Sequence, residues 1–384
     1  METEDTSSTG RTEPGRLGEV VRLFLTLGVI GFGGPAAHIA MMRDEVVRRR
    51  GWMDDAEFLE IIGATNLIPG PNSTEMAIHL GHRRAGWRGL LAGGLCFIAP
   101  AVVIVSLFAW LYSRYGSTPQ FADVRYGVLP VIIAIVAQAV VGLGRSAIVV
   151  PWKAVIAVVA FVAYALHVHE LLVLLAAGVL ALLWAARDRL GRRMMSVMVA
   201  PLVAAATGST PVSLWRLFLV FLEIGSVLYG SGYVLLAFMQ RSLVDDLGWL
   251  TSQQVLDAVA VGQVTPGPVF TTATFVGWQM AGVAGAAVAT VGIFAPSFVF
   301  VAFLGRIIEW MRVRPLAKAF LDGVTVASLG LMAGVLVQLS RTALVDVFTV
   351  AIAVGALAVL LRWKLNSAWL VAGGLLLGVT HGLL

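Results

Sequence analysis

LIPGPNST at residues 67–74 decides the fold, because the chain carries it twice: VTPGPVFT occupies 264–271. Pro69 and Pro266 lie 197 positions apart (266 − 69). The same offset sets Gly51-Trp52 on Gly248-Trp249, Glu60 on Asp257 and Gly33 on Gly230. One deletion later, Ala99-Pro100 falls on Ala295-Pro296. A register held this long around a Pro-Gly-Pro centre is an internal duplication. Proline has no N–H to donate, and its ring clashes with the preceding helical turn, so a helix reaching Pro69 or Pro266 must break. Gly70 and Gly267 add backbone freedom at the same point. Paired breaks at matching positions of two halves are the sequence mark of a transporter binding site.

Around these breaks the chain is apolar. Hydrophobic residues make up 59% and charged residues 13%, against roughly 25% charged in soluble domains. Apolar stretches of membrane-spanning length recur throughout, so the expected fold class is an all-α polytopic membrane protein with two inverted homologous repeats. Each repeat carries a Pro-Gly-Pro-broken helix or a re-entrant pair of half-helices. The expected organisation is a polar tail over 1–16, a first membrane repeat over 17–193, a short apolar connector over 194–213 and a second repeat over 214–384. The net charge of +5 sits at the ends of apolar segments, so it points to orientation in the lipid bilayer, not to nucleic acid. The single cysteine, Cys96, excludes an intramolecular disulfide and a multi-cysteine metal site.

Charge also orients the halves. Before its Pro-Gly-Pro the first half carries Arg43, Arg48, Arg49 and Arg50, where the second carries Arg241 with Asp245 and Asp246. After the next span the bias reverses, with Arg306, Arg312, Arg314 and Lys318 in the second half. Basic loops stay cytoplasmic, so the halves are expected to be inverted. Ten crossings plus two re-entrant pairs satisfy this, and so do thirteen crossings. The re-entrant arrangement keeps Arg48–Arg50 and Arg83–Arg88 together inside.

A helix resuming after a break presents free N–H groups and the positive end of its dipole, which suits an anion. The candidate binding residues are therefore Asn66, Pro69, Gly70, Pro71, Asn72, Ser73 and Thr74 in the first half. Thr265, Pro266, Gly267, Pro268, Thr271 and Thr272 are their second-half equivalents. Gly33 and Gly34, in GFGGP at 31–35, are candidates for a close-approach surface beside them. The alternative is a paired kink, or plain helix packing, with no ligand. Glu75, His79 and Arg83 follow at four-residue spacing and share a helix face. Ionisable groups at membrane depth are functional candidates, so Glu75 and His79 are candidates for proton coupling. The competing reading is an ion-pair ladder closing the helix end. Glu223, in an otherwise apolar span, is either a third coupling candidate or a buried hydrogen-bonded acid. His167 and His169 read as a solvated span end, not a metal site. No nucleophile, metal set or cofactor motif accompanies the breaks, so no catalytic residue, cofactor or enzyme activity is expected. Nor does a ring of charge suggest a channel.

GFGGP at 31–35, Gly51-Trp52, N-x-x-PGP at 66–71, the G-x-x-x-A-G-W-x-G run at 81–89, TPGP at 265–268 and the two Ala-Pro pairs resemble the chromate ion transporter family, in its two-domain, long-chain form. The match runs from about Leu17 to Leu384. The resemblance implies chromate efflux at the plasma (inner) membrane of a prokaryote, coupled to protons or to sulfate exchange and conferring chromate resistance. Sulfate or another oxyanion is the alternative substrate, and a homodimer is one admissible assembly. After the first Pro-Gly-Pro the chain departs from the pattern expected of that family, with an acid at Glu75.

Overall fold

The computed structural model describes residues 14–32, 34–186, 213–228, 234–304, 315–363 and 367–383. Gly33, Gly230, most of the tail and nearly all of the 194–213 connector lie outside the described residues. Every regular element described is helical. The first repeat begins with α1 (Pro14–Ile30), α2 (Gly34–Arg43), a π-helical turn (Asp44–Arg49) and α3 (Asp55–Thr65). It continues with α4 (Asn72–Tyr115), α5 (Pro119–Ala147), α6 (Pro151–Ala165) and α7 (Glu170–Ala186). The second opens with α8 (Leu214–Val227), α9 (Leu235–Met239), a π-helical turn (Gln240–Asp246) and α10 (Ser252–Val264). It closes with α11 (Thr272–Ala302), α12 (Pro315–Ala343), α13 (Val347–Arg362) and α14 (Ser367–Gly382). Among the described residues, four helical stretches are long and apolar enough to cross a membrane: Asn72–Tyr115, Gln120–Ala147, Val269–Ala302 and Leu316–Ala343.

The duplication reaches the local chemistry. Asp54 and Glu57 form a capping box at the start of α3; Thr251 and Gln254, 197 positions on, form one at the start of α10. Positive-φ glycines recur in pairs, Gly51 with Gly248 and Gly70 with Gly267.

Neither α4 nor α11 is one straight rod. Ala85 and Gly86 are non-helical (Gly86 φ 60°, ψ −149°), as are Ala281 and Gly282 (φ 58°, ψ −143°). Only glycine populates that region readily. The chain turns back on itself there. A Cβ on Gly81 would lie 2.2 Å from the Gly89 carbonyl, and one on Gly277 2.3 Å from that of Gly285. Small residues thus let the short arms 72–84 and 272–280 lie directly on the helices that follow. Thr274 and Thr290 share a 2.7 Å hydrogen bond across the second turn. At 1.5 Å per residue, α3 and arm 72–84 reach about 16 and 20 Å, short of a hydrocarbon core of about 30 Å. Both are half-helices meeting at Pro69-Gly70-Pro71, and α10 and arm 272–280 repeat the device.

The two repeats are intertwined. α1 packs on α4 and α8 on α11 within their own halves, and α4 meets α11 between them. Beyond that, α5 of the first repeat packs on α13 and α14 of the second, while α12 of the second packs on α6 and α7 of the first. Glycine makes both seams close: a Cβ on Gly127 would fall 2.0 Å from the Gly374 carbonyl, and one on Gly323 2.4 Å from that of Ala177.

Candidate functional site

The two breaks are hydrogen-bonded crosswise. Gly70 N–H donates to the Leu228 carbonyl (2.9 Å), and Gly267 N–H donates to the Gly31 carbonyl (2.8 Å). Leu228 and Gly31 end α8 and α1, and donor and acceptor pairs both obey the 197-residue offset. Each Pro-Gly-Pro is thus held by the end of the first helix of the other repeat, which satisfies a backbone N–H freed at the break.

At the first break, Asn72 Nδ2 donates to Asn66 Oδ1 and closes the loop. Thr74 and Glu75 N–H both donate to the Pro71 carbonyl, at 2.7 and 3.1 Å. Asn72 and Ser73 occupy the first two helical positions, whose N–H groups have no acceptor within the helix. Ser73, Thr74 and Glu75 are buried. At the second break the hydroxyls fold back on the chain. Thr265 donates to Val261 O (2.7 Å), Thr271 to Pro268 O (2.8 Å) and Thr272 to Val269 O (2.7 Å). The two tips are therefore chemically unequal: unpartnered Thr74 Oγ1 and Glu75 carboxyl oxygens stand at the first, and an unpartnered Gln263 amide nitrogen at the second.

Glu75 has 0% exposure, and neither carboxyl oxygen has a hydrogen-bond partner. A Cβ on Gly70 would lie 2.2 Å from Glu75 Oε1 and 2.7 Å from Ser297 Oγ. Ser297, on α11 of the other repeat, is equally buried and unpartnered. A carboxyl of one repeat and a hydroxyl of the other thus converge on the α-carbon of Gly70, where no side chain could fit. A protonated acid can donate to that hydroxyl; an ionised one can only accept from it.

Several expectations need correction. Glu75, His79 and Arg83 form no ion-pair ladder: Arg83 pairs with Glu57 of α3 (3.1 Å), and His79 Nδ1 has no partner. Arg83 stands at the far end of the arm, level with the start of α3, out of reach of Glu75. Glu223 is not a buried acid. α8 buries Leu217, Phe221 and Ile224, and Glu223 falls on its exposed side. Gly34 makes no close approach; a Cβ there would meet nothing within 4 Å, and its φ of 77° is what calls for glycine. The close contacts belong to Gly28 and Gly31, whose Cβ positions would strike the Phe97 carbonyl (2.8 Å) and the Leu27 carbonyl (2.5 Å). His167 is exposed, in keeping with a solvated span end, and His169 is partly so. His169 Nδ1 accepts from Leu171 N–H (3.3 Å).

Sequence reasoning missed His38 and Ser297. His38 is buried, and its Nε2 lies 2.8 Å from the same Gly31 carbonyl that accepts from Gly267. It braces the crosswise lock. A lone histidine in the apolar run GPAAHIAMM was the available signal. For Ser297 the signal was the duplicated Ala-Pro pair, followed by Ala101 in one half and a hydroxyl in the other.

A family model described as chromate transporter matches residues 18–182 and 215–379. The chain belongs to the chromate transporter family. The two matched ranges are displaced by the same 197 residues as the breaks, so the family's unit is the repeat itself. A probable chromate transport protein of Synechococcus elongatus is 33% identical over 360 residues, covering 91% of each chain. A chromate transport protein of Cupriavidus metallidurans is 32% identical over 372 residues, covering 94% of this chain and 92% of its own. An uncharacterized transporter of Methanocaldococcus jannaschii is 24% identical over 380 residues. No solved structure matches. Membership in the chromate transporter family makes this multi-pass membrane protein a transporter, not an enzyme.

Proposed function

We propose that this chain is a secondary active transporter that exports chromate across the plasma membrane of a prokaryote, coupled to protons. The observation that carries the reading is the pair of crosswise-locked helix breaks, with a buried, unpartnered carboxyl at one of them. Free N–H groups at Asn72 and Ser73 and the helix dipole suit a tetrahedral dianion. Asn66, Asn72 and the hydroxyls of Ser73 and Thr74 supply further contacts at the first tip; Thr265, Thr271 and Thr272 join them only by releasing the backbone carbonyls to which their hydroxyls donate. Two inverted repeats supply alternating access, since rocking one half against the other exposes the same site to either side.

Coupling follows from Glu75. An ionised carboxylate beside a dianion is repelled and, when buried without a partner, costly. A proton on Glu75 removes both penalties and gives the acid a hydroxyl to offer Ser297. Proton and oxyanion binding are then linked. His79, one turn on, is placed to relay the proton; Glu223, exposed on α8, is the second candidate for that route.

The test is uptake of labelled chromate into everted vesicles, with and without a proton gradient. Chromate uptake that responds to the gradient, and competition by sulfate as a shape analogue, are expected. Glu75→Gln should bind oxyanion with a flattened pH dependence and lose gradient-driven flux. A wild-type pH profile with full coupled flux in Glu75→Gln would remove the coupling role from Glu75.

A further inference from the structure

Away from the breaks lies a cleft of about 210 Å³ lined by Arg125, Tyr126, Gln253, Thr342, Ala122 and Leu129 among others. Three elements build it: α5 supplies Arg125, α10 supplies Gln253, and the C-terminal end of α12 supplies Thr342. It is smaller than the roughly 300–1,000 Å³ of sites for drug-sized ligands, a size for a small ion with its water. Behind it lies Asp257, 3% exposed, on the half-helix that runs into the second Pro-Gly-Pro.

The charge arrangement there is lopsided. Asp257 Oδ2 accepts from the Tyr112 hydroxyl at 2.8 Å, and Oδ1 accepts from Gln253 Nε2 at 3.3 Å. Those two bonds serve both carboxylate oxygens. Arg125 adds one contact, Nη1 to Oδ2, at the long distance of 3.4 Å. A guanidinium has five N–H donors in a fork shaped for an oxyanion. Arg125, a little over a quarter exposed, turns toward Asp257 and Tyr112, and its guanidinium lies over the Phe121 ring, 5.6 Å from the centroid. The other nearby acid, Asp346, accepts from the hydroxyl of Tyr126, itself a lining residue, and from Thr349 N–H where it caps α13.

We propose that this cleft is a vestibule site for the oxyanion, with Arg125 as its charged contact and Gln253 and Thr342 as neutral ones. Arg125 exchanges its long contact with Asp257 for the anion, so the anion's arrival releases the half-helix that leads to the second break from α5 and leaves Asp257 tied to α4 through Tyr112. The choice of ligand rests on the function proposed above; the site itself does not.

The experiment places a thiol in the cleft, as Thr342→Cys in a Cys96→Ser background, in purified full-length protein. It compares an anionic with a cationic thiosulfonate reagent of equal size, using sulfate as the probe. The anionic reagent should react about tenfold faster than the cationic one, the lower end of electrostatic focusing in a charged cleft. Sulfate should slow the anionic reagent more than sodium chloride of equal ionic strength does. Arg125→Gln should erase both effects, Arg125→Lys should keep the charge preference, and Asp257→Asn should strengthen sulfate protection. Equal rates for the two reagents, or sulfate protection that survives Arg125→Gln in protein of normal size-exclusion profile, would overturn the proposal. Arg125-dependent protection in a protein that moves no oxyanion would sink the transport reading and leave the vestibule standing. Oxyanion transport without protection would do the reverse.

Discussion

Adding one methyl group at Gly70 separates a conformational demand from a steric one. Gly70 has φ of 140°, so alanine there is strained whatever the space, at about 1–3 kcal/mol. The new Cβ would also sit 2.2 Å from Glu75 Oε1 and 2.7 Å from Ser297 Oγ. Relieving that overlap in a filled core costs about another 1–3 kcal/mol. Gly70→Ala should therefore destabilise by about 2–6 kcal/mol in all. Gly34→Ala is the internal control, because its φ is 77° but nothing lies within 4 Å of its Cβ. It should lose only the strain, about 1–2 kcal/mol. Gly267→Ala has φ of 95° and meets one atom closely, Ala101 Cβ at 2.8 Å, so it should fall between them. Reversible unfolding in mixed micelles gives the order, and chromate flux in vesicles gives the consequence. Because Gly70→Ala pushes Glu75 and Ser297 apart, flux should fall by roughly tenfold or more, as misplacements near an ångström do at working sites. A Gly70→Ala protein as stable as Gly34→Ala, with wild-type flux, would refute the convergence of Glu75 and Ser297 on Gly70.

Further outcomes follow from the repeats. Cysteines placed singly at Arg49 and Asp246 in a Cys96→Ser background should label from opposite faces of the membrane; labelling from the same face would defeat the inverted arrangement. Replacing Gly70 and Pro71 together by alanine should abolish transport while insertion persists, and the pair Gly267 and Pro268 should behave alike; flux in both double variants would detach the breaks from function. Gly86→Ala and Gly282→Ala, at matching hairpin turns with φ of 60° and 58°, should each cost about 1–3 kcal/mol, read by the same unfolding assay; an indifferent pair would mean the turns relax at no cost. Gly127→Leu should block the α5–α14 seam, where even a Cβ would fall 2.0 Å from Gly374 O, and collapse yield in the membrane. Normal yield would show that seam to be adjustable.

Much of this architecture is legible in the residues, for local reasons. Proline chemistry announces both breaks, and the 197-residue offset announces the repeat, because each acts through a short stretch of chain. The half-helix arms could be inferred as one of two topologies, and the small residues at Gly81, Gly89, Gly277 and Gly285 are what fold them back. What stayed hidden is whatever depends on contacts between halves. Nothing near Glu75 in sequence points to Ser297, more than two hundred residues away. Glu75, His79 and Arg83 share a face by periodicity, yet Arg83 answers to Glu57 because α3 lies alongside. Glu223 could not be assigned to an inner or outer face until α8 was seen packing on α11.

The exchange of helices between repeats sets a timetable for synthesis. α5 ends at Ala147, but α13 and α14, the partners on its Gly127 side, begin at Val347 and finish at Gly382. At 5–20 residues per second, the 200 residues between Ala147 and Val347 (347 − 147) take about 10–40 s to emerge. Throughout that interval α5 lies in lipid with its Gly127 seam uncovered. The helix must therefore be stable alone as a span, and its helix–helix seam must resist capture by other proteins in the bilayer until the last helices are made. A ribosome that stalls late in the message would release a chain whose early half is inserted but unclasped. The same wiring means that α13 and α14, not the first repeat, decide when α5 is covered.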